Sequence, residues 1–368
     1  MALTPAIAGL TPQIWDDKFF TSYVRANQFA RYMGTTENAL IQVKEDLTKK
    51  NGDSVTFALV NDLAGAGVTG SAALDGAEEA LNSRSYKLTV NMLRNGVRVH
   101  EWDAQKSAID LRNAARPQLK AWAMKKLRTD IINALMSING VPYATGNGDG
   151  TTGSSTAQKD AWLVDNNAAG HVLIGAGVGN YSGTYATDLA KLDTSADKFT
   201  YTNLSLARRV LKQASVPIRP IMLEDGTEWY VAFAPSNAFR DLKASLATIH
   251  SNSEVRGKSN PLYNDGDLIW DGIIVREIPE MTVEADVGDS AAVDVGHVKI
   301  CGAQALGIAW AQRTTSRTET FDYGAQQGVA ISEIRGVGKL IFGKGSGDQT
   351  DLVDHGVFTH FVAANPDA

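Results

Sequence analysis

The sequence predicts an α+β fold with an extended N-terminal part and a strand-rich C-terminal part. Three observations carry this expectation. Residues 108–138 are the one long stretch with sustained helical periodicity, and 54–60 and 87–99 have the β-branched or alternating pattern of strands. From Asn203 onward, short helical and strand patterns interleave before the chain ends in strands.

In the segment AIDLRNAARPQLKAWAMKKLRTDIINALMSI, Leu119, Trp122, Leu127, Ile131, Ala134, Leu135 and Ile138 recur three and four apart and share one apolar stripe. Lys120, Lys125, Lys126, Arg128, Asp130 and Asn133 fall mostly on the other side. Pro117 lacks an N–H and its ring crowds the preceding turn, so the helix is expected to restart or kink there. Asn139-Gly140, residues that tolerate a left-handed conformation, stop it. A long helix with one apolar stripe must lie across another layer, and a sheet is the expected one.

Before the helix, residues 1 to about 47 read as an arm. Trp15, Phe19, Phe20, Tyr23, Phe29 and Tyr32 crowd into 18 residues with charges between them. So short a segment cannot bury that many aromatics alone. It therefore docks on its own body or on a neighbouring subunit. Ser54–Val60 and Lys87–Val99 read as two strands, the second interrupted at Gly96. The Gly- and Ala-rich stretch between them has no core of its own, which suggests a long two-stranded arm with a flexible tip. Isolated hairpins are marginal in water, so such an arm is expected to lie on another chain.

After the helix, residues 140–197 are dominated by Gly, Ser, Thr, Asn and Ala and read as a loop or insertion. Then come a short helix capped by Asn203 or Ser205, strands at IRPIML and EWYVAFA about a turn at Glu224-Asp225-Gly226, and a helix starting at Pro235-Ser236. A strand pair turns at Asp271-Gly272, and two long strand patterns come next, HVKICGAQALGIAWAQ and GVAISEIRGVGKLIF. Residues 343–349 read as a spacer and the end of the chain as a polar tail.

Composition narrows the function. With 35 basic and 41 acidic residues the net charge is −6, which is not the balance of a bulk nucleic-acid binder, although local basic patches remain open. The single cysteine, Cys301, excludes an intrachain disulfide and suits a reducing compartment. The N-terminus lacks a basic n-region and no apolar run is long enough to span a bilayer, so neither a signal peptide nor a membrane segment is expected.

Motifs with catalytic overtones fail on inspection. Leu173–Asn180, LIGAGVGN, imitates a glycine-rich nucleotide turn, but the continuation NYSGTYATDLAKLDTS is a poor helix and Asp193 ends no strand. Arg256-Gly257-Lys258-Ser259 has Asn252 where a P-loop needs its first glycine, and Pro261 where it needs a helix. His100-Glu101 begins a zinc-protease pattern that Ala104 breaks. His355 and His360 fall on the tail and form no ligand spacing. No catalytic residue, cofactor or metal is expected, and the chain does not read as an enzyme.

The order of parts resembles the major capsid proteins of tailed phages, the Hong Kong 97-like fold shared with encapsulin shells. Phe29-Ala-Arg-Tyr-Met-Gly34, Ile41–Lys50 (IQVKEDLTKK), Gly52–Val60, Gly65–Gly70 and Lys126–Ile132 (KLRTDII) are similar to the branch typified by schitovirus coat proteins. The resemblance implies an N-terminal arm over 1–50 and an extended loop over 51–102 lying on the adjacent subunit. It implies a peripheral domain, 103–138 with 298–345, whose spine is the long helix. It also implies an axial domain, 139–297, carrying the 140–197 insertion, and a C-terminal tail, 346–368. Inter-subunit contacts are expected from Trp15, Phe19, Phe20, Tyr23, Phe29, Lys49, Lys50, Val68, Leu74 and Arg84. The implied partners are copies of the chain itself in pentamers and hexamers, with scaffold, portal and decoration proteins besides. The shell would enclose double-stranded DNA without reading its sequence, and would assemble in the host cytoplasm to become part of the virion. An encapsulin-like compartment is the alternative of the same fold, and a nucleotide-dependent enzyme using LIGAGVGN the alternative of another class.

Overall fold

A computed structural model of the chain describes residues 27–48, 52–60, 67–71, 73–75, 78, 83–107, 110–144, 152–223, 226–253, 268–344 and 350–367, without the side chains of 112, 113 and 247–253. The strands in chain order are β1 (Met33–Gly34), β2 (Ile41–Lys44), β3 (Ser54–Val60), β4 (Ser83–Thr89), β5 (Asn91–His100), β6 (Val172–Ile174), β7 (Ile221–Met222), β8 (Glu228–Ala234), β9 (Leu268–Trp270), β10 (Ile273–Glu277), β11 (Val283–Glu284), β12 (Val295–Cys301), β13 (Leu306–Phe321), β14 (Gln326–Lys339), β15 (Ile341–Gly343), β16 (Leu352–Asp354) and β17 (Val357–Ala363). The helices are α1 (Glu101–Lys106), α2 (Leu111–Met136), α3 (Thr156–Ala169), α4 (Tyr185–Leu189), α5 (Tyr201–Lys212) and α6 (Ser236–Ser253).

The chain forms two compact units. The smaller comprises Met1–Gln28, Asn91–Arg128 and Ala311–Arg335; the larger comprises Phe29–Val90, Thr129–Trp310 and Gly336–Ala368. Helix α2 and strands β13 and β14 each contribute to both.

The larger unit is organised by an eight-stranded sheet in the order β6-β17-β12-β8-β10-β9, with β11 on β12 and β7 on β8. One face is apolar. Leu204, Ala207 and Leu211 of α5, with Leu242 and Leu246 of α6, pack there against Tyr230, Ala232, Val275, Val298, Ile300 and Phe358. Alternation along β12 and β17 sends His297, Lys299, Thr359 and Phe361 to the opposite face. Trp162 of α3 and Tyr185 of α4 meet Phe361 edge-on there, at 6.4 and 5.6 Å between centroids. The β9–β10 pair turns at Asp271-Gly272 as the sequence suggests, both residues at positive φ (48° and 73°).

In the smaller unit β5 runs antiparallel to β14 over ten residue pairs, from Asn91↔Arg335 to His100↔Gln326, and β14 has β13 on its other side. Leu119 and Ala123 of α2 pack on Val329 and Ile331 of β14, with Trp122 at the margin. Glu333 and Arg335, both buried, pair at 2.8 Å, and Thr314 donates to the second Glu333 oxygen.

Several expectations are corrected. Residues 140–197 are not a loop: α3 opens with a full capping box, Ser155 and Gln158 exchanging side-chain and backbone bonds, and Gly170 closes it in the left-handed conformation. The 346–368 tail is not a tail, since all seven residues of β17 are buried between β12 and β6. His360 is buried within it and His355, just ahead of it, is half-buried; desolvation pushes each imidazole down to about 4. Helix α5 begins at Tyr201 behind Thr200, whose hydroxyl accepts from Asn203 N, so neither Asn203 nor Ser205 is the cap. Helix α2 starts at Leu111 and carries Pro117 in its interior instead of restarting there. The 87–99 strand divides at Val90, and Gly96 lies inside β5 close against Ala330 rather than interrupting it. Of the IRPIML segment only Ile221–Met222 is a strand. The turn residues 224 and 225 and the Arg256–Ser259 motif lie outside the described residues.

Candidate assembly surfaces and a buried polar network

The two strands expected to form an arm are a hairpin. β3 and β4 pair antiparallel from Ser54↔Thr89 to Val60↔Ser83. Its root is fixed to its own chain: Val55, Phe57 and Leu88 are buried with Ala309, Leu340 and Phe342. Glycines permit this approach. A Cβ at Gly336 would sit 2.3 Å from Thr89 O, and one at Gly307 would sit 2.8 Å from the Phe57 ring. Lys44 lies over the Phe57 ring at 4.3 Å while donating to Thr56 O, and Arg84 Nε donates to Gly343 O at 3.0 Å.

The far end of the hairpin is different. Gly67 and Gly70 adopt positive φ, and a Cβ built on either meets nothing within 4 Å. Leu74 is 60% exposed and Val60, the last residue of β3, 57%. Val68 is half-buried. Exposed large apolar side chains such as Leu74 and Val60 offer contact area of the kind that marks an interaction surface.

Of the other candidate contacts, Phe29 is corrected. It is fully buried in its own chain, meeting Phe233 edge-on at 5.0 Å, so it has no area left for a neighbour. Tyr32 also stands on Phe233, and Arg276 donates to its hydroxyl. Residues 28–44 are thus part of the body, with Leu40 and Ile41 buried beside β13. Trp15, Phe19, Phe20, Tyr23, Lys49 and Lys50 lie outside the described residues.

A buried polar network, unforeseen from sequence, fills the second face of the large sheet. Lys339, almost fully buried, donates to Asp354 Oδ2 at 2.7 Å and to the Ser137 carbonyl at 2.6 Å. Trp162 Nε1 donates to the same carboxylate, and Asp354 N donates to Asn166 Oδ1. Lys299 donates to Thr359 Oγ1 at 2.9 Å, and burial together with the Lys339 charge pushes its ammonium down to about 7. Nearby, Glu284 lies 2.6 Å from His297 Nε2 and accepts from the Tyr185 hydroxyl at 2.7 Å, with Tyr143 a further 3.0 Å on. Burial raises this carboxyl, but the bonds and charge from His297 and the bonds from the tyrosines outweigh it and hold it at about 2. Burial lowers His297, against the pull of Glu284, and raises Tyr185. These groups bond one another, with only Glu284 partly open to solvent, and they tie α3, α4, β11 and β16 to the sheet.

Two of the motifs with catalytic overtones have structural occupations among the described residues. In LIGAGVGN the carboxylate of Asp197 engages the turn: Ala176 N donates to Asp197 Oδ1 at 2.7 Å. A Cβ on Gly175 would fall 2.1 Å from the same oxygen. His100 caps α1, its Nδ1 accepting from Trp102 N at 3.1 Å. Among the described residues no three His, Cys, Asp or Glu side chains gather to hold a metal, and no helix is long and apolar enough to cross a membrane.

Comparison with known proteins points the same way. The phage capsid protein family model matches residues 4–364. The major capsid protein of Pseudomonas phage KPP25 is 28% identical over 366 residues, covering 95% of this chain and 94% of that protein. The capsid of cyanophage Pam1 is 31% identical with full coverage of both chains and a TM-score of 0.83. The capsid of Ralstonia phage GP4, 21% identical with full coverage, shares the fold at a TM-score of 0.73. The chain belongs to the phage capsid protein family and is a structural shell component, a major capsid protein. That family is not an enzyme family, and these relatives are phage capsids rather than encapsulins.

Proposed function

We propose that copies of this chain join head to tail into pentamers and hexamers and close an icosahedral head of the Hong Kong 97-like type around double-stranded DNA. The observation that carries the reading is the β3–β4 hairpin, rooted in its own core by Phe57 and Leu88 yet bearing an exposed Leu74 at its far end. Rooting fixes the direction in which the stalk projects; the exposed end supplies area for a neighbour, at about 25 cal/mol per Å² of apolar surface covered. Heterologous contacts of this kind close into rings when the rotation between copies allows it.

On this reading the hairpin is the core of the extended loop, α2 is the spine of the peripheral domain, and α5, α6 and the sheet between β8 and β10 belong to the axial domain. The segment 1–26 is the arm, with Trp15, Phe19, Phe20 and Tyr23 as its contacts. Lys49, Lys50, Val68, Leu74 and Arg84 are the contacts of the loop and its approach. Scaffold, portal and decoration proteins are the further partners, and assembly takes place in the host cytoplasm.

Replacing residues 61–82 by a two-residue Asn-Gly turn tests the reading. The shortened protein should keep the thermal unfolding of the parent and fail to form particles visible by negative stain. Normal particles from it would overturn the assignment of the hairpin as an assembly element.

A further inference from the structure

In the smaller unit β13 and β14 form a ribbon whose turn goes against a backbone preference. Asp322, Tyr323 and Gly324 follow one another at positive φ, 52°, 51° and 97°. Ala325 N donates to Asp322 O at 2.9 Å and closes the turn. Glycine and asparagine take such places easily. Tyrosine does not, because its Cβ crowds the following carbonyl in the left-handed region. Strain of this kind gathers at functional sites.

The side chain held there stands clear of its own chain. Tyr323 is 110% exposed, against 63% for Trp102. A turn that only reverses the chain gains nothing from an aromatic ring in water. A ring covered by a neighbour buries about 150–250 Å² and can dominate a contact.

The ribbon itself carries a receptor for such a ring. Arg94, Gly96 and Arg98 of β5 pair with Ser332, Ala330 and Gly328 of β14. They share the face opposite Val329 and Ile331, which α2 covers. Arg317, Glu319 and Phe321 of β13 complete a groove of about 400 Å³. Its floor is nearly bare of side chains: a Cβ on Gly96 would fall 3.0 Å from that of Ala330. Its walls are guanidinium groups. Arg98 lies 4.0 Å over the Phe321 ring, the stacking that arginine favours with aromatic faces. Among the described residues Arg94 and Arg317 hold no ion pair. Three bases against Glu319 leave the groove cationic, and the Asp322 carboxylate beside Tyr323 complements it. The other pocket, about 650 Å³ at the hairpin root, is less suited, since its Arg219 is already paired with Glu37 at 3.1 Å.

We infer that Tyr323, with Asp322, is an anchor that one copy inserts between Arg94 and Arg317 in the ribbon groove of a second copy. The inference rests on the shell reading and deepens it, naming a contact between copies that the β3–β4 hairpin does not make. β5 and β13 flank β14 two strand spacings apart, about 10 Å, which leaves room for one ring between their side chains. Tyr323 and the groove centre at Arg317 and Ala330 are separated by about 20 Å along the ribbon, at 3.3 Å per residue. A tyrosine cannot reach back that far, so the ring that fills the groove comes from another copy. Each copy then gives one tip and takes one, a head-to-tail contact that closes into a ring.

The test compares four full-length variants with the parent: Tyr323→Asn, Tyr323→Phe, Arg94→Gln/Arg317→Gln, and the last combined with Tyr323→Asn. Light scattering across a dilution series reads the assembly threshold, and thermal denaturation reads the unfolding of the unassembled protein. Asparagine tolerates the left-handed turn, so Tyr323→Asn should unfold no earlier than the parent. Its threshold should rise about 30-fold, as for the loss of a hot-spot residue. Tyr323→Phe keeps the ring and should keep the parent's threshold. The groove variant should raise the threshold too, and the combined variant should add little, because both changes remove one contact. An unchanged threshold in Tyr323→Asn or in the groove variant would overturn the inference. So would a full sum of the two losses in the combined variant, a Phe variant as weak as the Asn variant, or earlier unfolding of Tyr323→Asn. Parent particles with a threshold indifferent to Tyr323→Asn sink only this inference. A parent that forms no particles sinks the shell reading, and the anchor with it.

Discussion

Leu74→Ser separates what the hairpin tip does for its own chain from what it does for a neighbour. Leu74 is 60% exposed in the isolated chain, so the substitution removes little packing, and surface changes of this kind stay within about 0.5 kcal/mol. The unfolding temperature of the unassembled protein should be unchanged. In a shell the same side chain would be covered by the next copy, and full burial of a leucine stabilises by about 1.5–3 kcal/mol. Taking about 2 kcal/mol per subunit, the association constant per added copy falls about 30-fold, since 1.4 kcal/mol is a factor of ten. The lowest concentration at which particles form should rise by the same factor. A dilution series read by light scattering and sedimentation measures it. An unchanged threshold would remove Leu74 from the interface, and a large drop in unfolding temperature would mean that the tip packs on its own chain after all.

The remaining predictions concern the fold that holds the hairpin in place. Phe57→Ala should cost about 3–5 kcal/mol, because Phe57 is buried at the hairpin root and truncation leaves a cavity between Leu88 and Leu340; denaturant unfolding of the unassembled protein measures it. Lys339→Ala should cost about 3–5 kcal/mol by leaving the Asp354 carboxylate buried without its cation, and adding Asp354→Asn should recover part of the loss. Lys299→Met should stabilise the protein at pH 6 and lose that advantage as the pH rises toward 10.5. The Lys299 ammonium is held at about 7 when folded against 10.5 unfolded, so between those values the unfolded state binds the extra proton and stability of the parent climbs with pH. Melting temperatures of the two proteins compared from pH 6 to pH 10 check the sign, and a constant difference would show that Lys299 does not titrate in this window.

Much of the architecture is legible where one face of an element is wet. Leu119, Ile131 and Leu135 mark α2 because the exposed residues between them are polar, and Asp271-Gly272 announces its turn because few residues accept positive φ. β17 reads as a tail for the opposite reason. Buried on both faces, Val357–Ala363 shows no alternation, and Thr359 and His360 inside it look like surface residues until Lys299 and Gly175 are seen as their partners. Helix α3 has a readable signal in Ser155-x-x-Gln158, masked by the Gly- and Ser-rich chain ahead of it. The Glu284–His297–Tyr185–Tyr143 network has none. Its members are spread from position 143 to 297 and are brought together only by the packing of separate elements.

The central claim, that exposed hairpins of identical copies are completed by one another, is tested most directly by electron microscopy of the purified full-length protein across a concentration series. Closed shells or capsomer rings that appear above a threshold concentration, and fail to appear when residues 61–82 are replaced by a short turn, are the predicted result. A protein that stays a single 39.4 kDa species at every concentration would contradict it.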